Sequence, residues 1–162
     1  LTGEVHLTSL PQDLLQQSEK QGFKIARGST PAVRTFFRMR CCFVNDPADP
    51  SKGFMYPDAP LMDVRVRRAL NKAVDRDAIN KAFFAGKGEL LVVDPMHPSR
   101  PGWKDEWKAK FPEEYGYDPA KAKALLAEAG YGPNRPLSTQ MHVTPVPGLA
   151  GAEDIEEAVA GY

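Results

Sequence analysis

Two adjacent cysteines, Cys41 and Cys42, three scattered histidines and a Met-His pair inside a proline-rich run are the residues best suited to chemistry. A thiol nucleophile needs an imidazole base within hydrogen-bond reach and an acid to orient it. His6, His97 and His142 all lie far from the cysteines in sequence, and no Gly-x-Ser-x-Gly supplies a serine instead. The same scatter argues against zinc, whose sites repeat Cys and His at short spacings. Neighbouring cysteines on an extended chain point to opposite sides, so no structural disulfide is expected between them. The residues favour two small buried side chains in a strand. Gly86-Lys87-Gly88 ends a helical pattern, whereas a phosphate loop opens a helix and carries Ser or Thr after its lysine. Glu113-Glu114 and Glu156-Glu157 are sequence neighbours, which suits a solvated surface better than an acid/base pair. Neither a metal nor a cofactor is expected.

What remains is recognition. Asp94-Pro95-Met96-His97-Pro98-Ser99-Arg100-Pro101-Gly102-Trp103 cannot be regular secondary structure, because proline removes donors and restricts the residue before it. A loop pinned in this way, on a rigid scaffold, is a common lining of binding sites.

The scaffold is legible around it. From Asp63 to Arg76, Val66, Leu70, Ala73 and Val74 fall at i, i+4, i+7 and i+8, one apolar stripe of a helix, with Arg65, Arg67, Arg68, Asn71 and Lys72 turned elsewhere. Asp63 stands at the N-cap, and Asp75 repeats the device for a second helix starting near Asp77, with Ile79 and Phe83 on one face and Gly86 and Gly88 stopping it. Asp118 as cap, Pro119 at the first helical position, Ala122, Leu125, Leu126 and Ala129 as the buried stripe and Gly130 past the last turn specify a third helix at both ends. Further helices are expected from Leu10-Pro11 to Lys20, closed by Gly22, over Lys104–Lys110 with Trp103 and Trp107 sharing a face, and from Ala152 through Tyr162 with Ile155, Val159 and Tyr162 aligned. For the tryptophans, packing is favoured over ligand stacking. Alternation and β-branched content predict strands over 2–8, 23–27, 33–44, 90–93 and 137–143. The four prolines of residues 46–60 make that segment a surface loop.

Length and composition permit one domain: 162 residues can bury about two-thirds of their unfolded surface, and 42% apolar with 26% charged residues is ordinary for a globular chain. With 21 basic and 21 acidic side chains the net charge is zero, so no global field attracts nucleic acid or an anionic membrane. Arg34, Arg38 and Arg40 read as a solvated or ion-paired strand face. No window reaches the roughly 20 apolar residues of a membrane span.

Asp-x-Arg-Val-Arg-x-Ala-Leu-Asn-x-Ala-Val-Asp-Arg (63–76) and Tyr-Asp-Pro-Ala-Lys-Ala-Lys-Ala-Leu-Leu-Ala-Glu-Ala-Gly-Tyr (117–131) resemble, in order and separation, two hallmark segments of the bacterial extracellular solute-binding proteins of the dipeptide, oligopeptide and nickel class, family five. The resemblance extends over nearly the whole chain. It implies an α/β lobe, a mixed sheet flanked by helices, one of two lobes of a type II periplasmic-binding-protein fold. Residues 1–162 would be a single partial domain, the central part of the C-terminal lobe of a longer protein. It further implies a periplasmic or cell-surface receptor of an ABC importer, a monomer, that holds a short peptide or similar small solute between its lobes and delivers it to a membrane permease. By resemblance, contacts are expected from loops at strand ends facing the cleft: Asn45, separated by Val44 from Phe43 where relatives carry an adjacent Phe-Asn pair, Met96 and His97 in the proline-rich segment, and Thr144 in the loop after the last strand. The alternative is a hydrolase-like α/β enzyme domain with its site on the 94–103 loop, His142 and the cysteines. A nucleic-acid module built on Arg65, Arg67 and Arg68 is disfavoured by Asp63, Asp75 and Asp77 in the same segment.

Overall fold

The computed structural model describes residues 8, 10, 12–26, 35–39, 41–94, 96–142 and 152–162. Among them the helices are α1 (Gln12–Lys20), α2 (Val64–Ala73), α3 (Arg76–Phe84), α4 (Asp105–Tyr115), α5 (Pro119–Glu128) and α6 (Ala152–Ala160), with 3-10 turns at Pro50–Lys52 and Pro60–Met62. The chain divides into two compact units. One is formed by Phe36–Arg76, Leu90–Met141 and Tyr162, and the described part of the other holds α1, α3 from Asp77 on, and α6.

In the first unit α2 packs chiefly on α5. Asp63 caps α2, its Oδ1 accepting the Arg65 amide at 2.8 Å, while the Arg65 guanidinium folds back onto the same carboxylate. Arg65 Nη1 also donates to Glu128 O at the end of α5, 2.7 Å away. The buried face of α2 is Val66, Ala69 and Lys72, at 0%, 1% and 7% exposure. This corrects the expected stripe: of its four members only Val66 is buried, and Val74 lies outside the helix, in extended backbone at φ −89°, ψ 118°. Lys72 can be inside because its Nζ, at the end of a flexible apolar stem, donates to Glu113 O at 2.7 Å. Its own carbonyl accepts the amide of Asp118 at 2.8 Å.

Helix α5 matches its sequence signals end by end. Asp118 Oδ1 accepts the Lys121 amide at 2.9 Å and Pro119 occupies the first turn, but of the expected buried stripe only Ala122 is buried, with Leu125, Leu126 and Ala129 half-buried. At the far end Gly130 adopts φ +85°, a left-handed conformation that costs glycine least. Tyr131 N donates to Leu126 O and Gly130 N to Ala127 O, which closes the helix in a Schellman motif. Helix α4 runs to Tyr115, beyond the expected Lys110, and contains Pro112. That proline forgoes the bond to the carbonyl four residues back, and Gly116 N donates to Pro112 O as the helix ends.

In the second unit, α1 ends at Gly22, φ +88°, with the Phe23 amide bonded to Ser18 O. Helix α3 has Ile79 and Phe83, which share a face at i, i+4, half-buried, and no fully buried residue. It is followed by Ala85 and Gly86, both at positive φ, and by a two-point contact in which Asn80 Oδ1 accepts the Gly88 amide at 2.8 Å while its Nδ2 donates to Gly88 O at 3.1 Å. Helix α6 buries Ala152 and Ile155. It stops at Ala160, short of the expected Tyr162, where the Gly161 amide divides its bond between Glu157 O and Ala158 O.

No strand forms among the described residues. There are three isolated antiparallel bridges, Val44 with Phe54, Val93 with Met96 and Gly132 with Arg135. Residues 23–26, 35–39 and 137–142 are irregular, since alternation becomes a strand only where a second segment pairs with its N–H and C=O groups. The expected strand over 2–7, and residues 27, 33, 34, 40 and 143 of the other strands, lie outside the described residues.

Candidate functional site

The turn around Asn45 is built locally. Asn45 N donates to Gly53 O at 2.9 Å, Met55 N to Phe43 O at 2.7 Å, and the Asn45 side-chain Nδ2 to Lys52 O at 2.9 Å. Lys52 meets Asp46 at 2.6 Å, and that hydrogen bond, with the Ala48 amide second, holds the Asp46 carboxyl below its usual range. Asn45 is exposed, with its amide nitrogen committed to the turn and its carbonyl oxygen on the other branch.

Cys41 and Cys42 precede this turn and correct the sequence reading. Cys42 is exposed and Cys41 half-buried, so they are not a buried pair. Cys42 adopts φ +65°, which breaks the side-to-side alternation of an extended chain and brings the two Sγ atoms within 2.7 Å. The two thiols are hydrogen-bonded to each other, and that bond with Cys42, more than partial burial, pushes the Cys41 thiol up from its ordinary value, while the Arg67 charge opposes the rise.

Met96 and His97 share one tight turn. Met96 N donates to Val93 O at 2.7 Å. Ser99 N donates to His97 Nδ1 at 3.2 Å, and Ser99 Oγ lies 2.7 Å from the same atom, so Nδ1 is the acceptor and the ring proton is on Nε2. Both side chains are half-buried. Downstream, the Trp103 and Trp107 rings meet edge to face at 5.6 Å, and Trp103 Nε1 donates to Asp105 Oδ1 at 3.0 Å. Of the four expected contact residues, Met96 and His97 are therefore side by side, Asn45 stands in a separate loop, and Thr144 lies outside the described residues.

Sequence reasoning did not anticipate an open groove of about 370 Å³ lined by Phe37, Met39, Val64, Arg67, Arg68, Asn71 and Tyr115. A signal for it was available. Val64, Arg68 and Asn71 are spaced i, i+4, i+7 on α2, and Phe37 and Met39 are spaced i, i+2. Much of its polar lining is already engaged. Arg67 Nη1 donates to Leu61 O at 2.6 Å and Met62 O at 2.9 Å, and Asn71 donates to Arg67 O while accepting from Arg76 at 2.9 Å. Arg76, lowered in pKa by burial, also bonds Tyr115 O and stacks over Phe111 at 5.6 Å. Arg68 is exposed and has no hydrogen-bond or ion-pair partner among the described residues. One cation beside aromatic and thioether surface suits an apolar group that carries negative charge. Among the described residues, no thiol, imidazole or carboxylate lines the groove.

The chain belongs to the bacterial extracellular solute-binding proteins, family 5, since the model described as "Bacterial extracellular solute-binding proteins, family 5 Middle" matches residues 1–159. Members of this family have type II periplasmic-binding folds. The chain is 44% identical over 88 residues to heme-binding protein A of Haemophilus influenzae, covering 54% of this chain and 15% of the relative. It is 46% identical over 71 residues to the dipeptide-binding protein of Escherichia coli, covering 44% of this chain and 12% of the relative. It is also 39% identical over 86 residues to the periplasmic oligopeptide-binding protein OppA of Escherichia coli, covering 51% of this chain and 15% of the relative. The chain therefore spans about one-seventh of the length of these relatives. No solved structure matches it. The relatives are named as binding proteins, and the hydrolase-like alternative finds no support in them.

Proposed function

We propose that this chain is part of the substrate-binding component of an ABC importer, a periplasmic receptor that holds a short peptide or similar small solute between two lobes and hands it to a membrane permease. The observation that carries the reading is the family match over residues 1–159, which includes the two helices, α2 and α5, whose caps and packing are described above. In this reading residues 1–162 form one partial domain, the central part of the C-terminal lobe, and in the complete lobe their extended segments join a mixed sheet flanked by helices. The receptor works as a monomer, and closure of the lobes about a hinge reports occupancy to the permease.

The ligand contacts are Asn45, Met96, His97 and Thr144. Asn45 offers the carbonyl oxygen of an amide already oriented by Lys52 O, and His97 offers a ring fixed by Ser99. Both are rigidly presented polar groups, which recognition favours because little side-chain freedom is lost on binding. The test is a thermal-shift panel on the full-length protein, with di- to pentapeptides, glutathione, haem and nickel chelates, since a ligand that binds only the folded state raises Tm. A selective shift with peptides supports the reading. No shift with any member, together with turnover of a peptide or ester, overturns it.

A further inference from the structure

Consecutive Cα atoms stand about 3.8 Å apart across a trans peptide, short of the roughly 4.4–6.8 Å spanned by most disulfides. Adjacent cysteines can close a ring only where the backbone between them leaves the extended form. Here it does. Cys42 occupies the left-handed region at φ +65°, which non-glycine residues other than Asn and Asp rarely enter, and the two sulfurs are 2.7 Å apart on the same side of the chain. The next residues are fixed independently, Phe43 O by the Met55 amide and Asn45 N by Gly53 O, so the unusual backbone is held from outside the pair. Cys42 is exposed and reachable by a dissolved reagent. We propose that Cys41 and Cys42 form a vicinal disulfide, a redox modification site whose co-reactant is a small or protein-borne disulfide. The inference does not rest on the ligand or transport reading.

The step is thiol–disulfide exchange. The Cys42 thiolate attacks the external disulfide, one sulfur of which leaves as a thiol. The Cys41 thiolate then attacks Cys42 Sγ and the second thiol leaves. The two electrons end on the oxidant, and the two cysteine protons end on the released thiols. Cys41 suits the second role. Its thiol, raised chiefly by its hydrogen bond with Cys42, loses that restraint once Cys42 is in the mixed disulfide, while Arg67 favours its thiolate.

The full-length protein is equilibrated in glutathione buffers of graded oxidised-to-reduced ratio, quenched in acid, alkylated and digested with trypsin, so that Cys41–Lys52 is released as one fragment after Arg40. The expected fragment lacks two hydrogens, carries no alkyl group and appears, in the native protein, at a ratio about tenfold or more below that needed in urea. The proposal fails if both cysteines are alkylated throughout, if glutathione stays on Cys42, if two fragments are cross-linked, or if native and unfolded chains need the same ratio. Cys42→Gly, which suits the left-handed backbone, should keep the circular dichroism of the parent and leave Cys41 to accumulate a glutathione adduct. The proposal also fails if that variant loses the native spectrum while Cys42→Ser keeps it.

Discussion

Helix α5 and the turn at 43–55 are both shaped by polar side chains folded onto nearby backbone, Asp118 on the Lys121 amide in one, Asn45 on Lys52 O in the other. Only α5 adds a buried residue, Ala122, and a partner helix, α2. In the turn Phe43, Phe54 and Met55 stay 42–52% exposed. Local hydrogen bonds can therefore specify a conformation in either setting, but burial is what makes the conformation resist unfolding. A rigid yet weakly buried turn is suited to presenting groups to a ligand.

The largest break in this contrast should come from Lys72→Ala. It strips the Glu113 carbonyl of its partner and opens space between helices, at a cost of about 2–4 kcal/mol by urea denaturation. An unchanged midpoint would mean that Lys72 reaches solvent in solution. Val66→Ala, at a site with no exposed surface, should cost roughly 2 kcal/mol. Asp118→Ala removes the cap of α5 and is expected to cost about 1 kcal/mol, with Asp118→Asn nearly neutral. The turn should respond in the opposite sense. Asn45→Ala should lower the unfolding free energy in urea by no more than about 0.5 kcal/mol while weakening ligand binding at least tenfold in calorimetry on the full-length protein. A large stability loss with unchanged binding would remove Asn45 from the proposed contacts.

The smallest effect concerns pH. The Asp63 carboxyl is held below its usual value, first by the Arg65 side chain and then by the Arg65 amide. A carboxyl depressed in the folded state stabilises the fold above its unfolded value, near about 3.9, and loses that contribution as pH falls through the folded value. Asp63→Asn keeps a capping oxygen without the charge. Its midpoint should therefore trail that of the parent at neutral pH, and the gap should close below about pH 4. A constant gap would locate the effect in hydrogen-bond geometry and not in charge.

What was legible in the sequence follows the same division. Asp63, Asp118, Pro119 and Gly130 act on backbone within a few residues, so type and spacing were enough to find both capped helices. Lys72 was misread because its partner, the Glu113 carbonyl, is 41 positions away. Cys42 was misread because its backbone angle depends on the pairing of Phe43 and Asn45 beyond it. The groove of Phe37, Met39, Arg68 and Tyr115 is assembled from three separate segments, and only its α2 face left a periodic trace.

Lys72 ties α2 to both sides of the α4–α5 connection, through its Nζ to Glu113 O and through its carbonyl to Asp118 N, and Arg76 adds a bond to Tyr115 O. The corner between α4 and α5 is thus completed by atoms that arrive from a distant part of the chain. Such a corner has no local route to its final form, so these three helices should open and close together as one cooperative unit. In native-state hydrogen exchange the Asp118 amide would then keep pace with the core of α2, and not with the fraying first turn of its own helix.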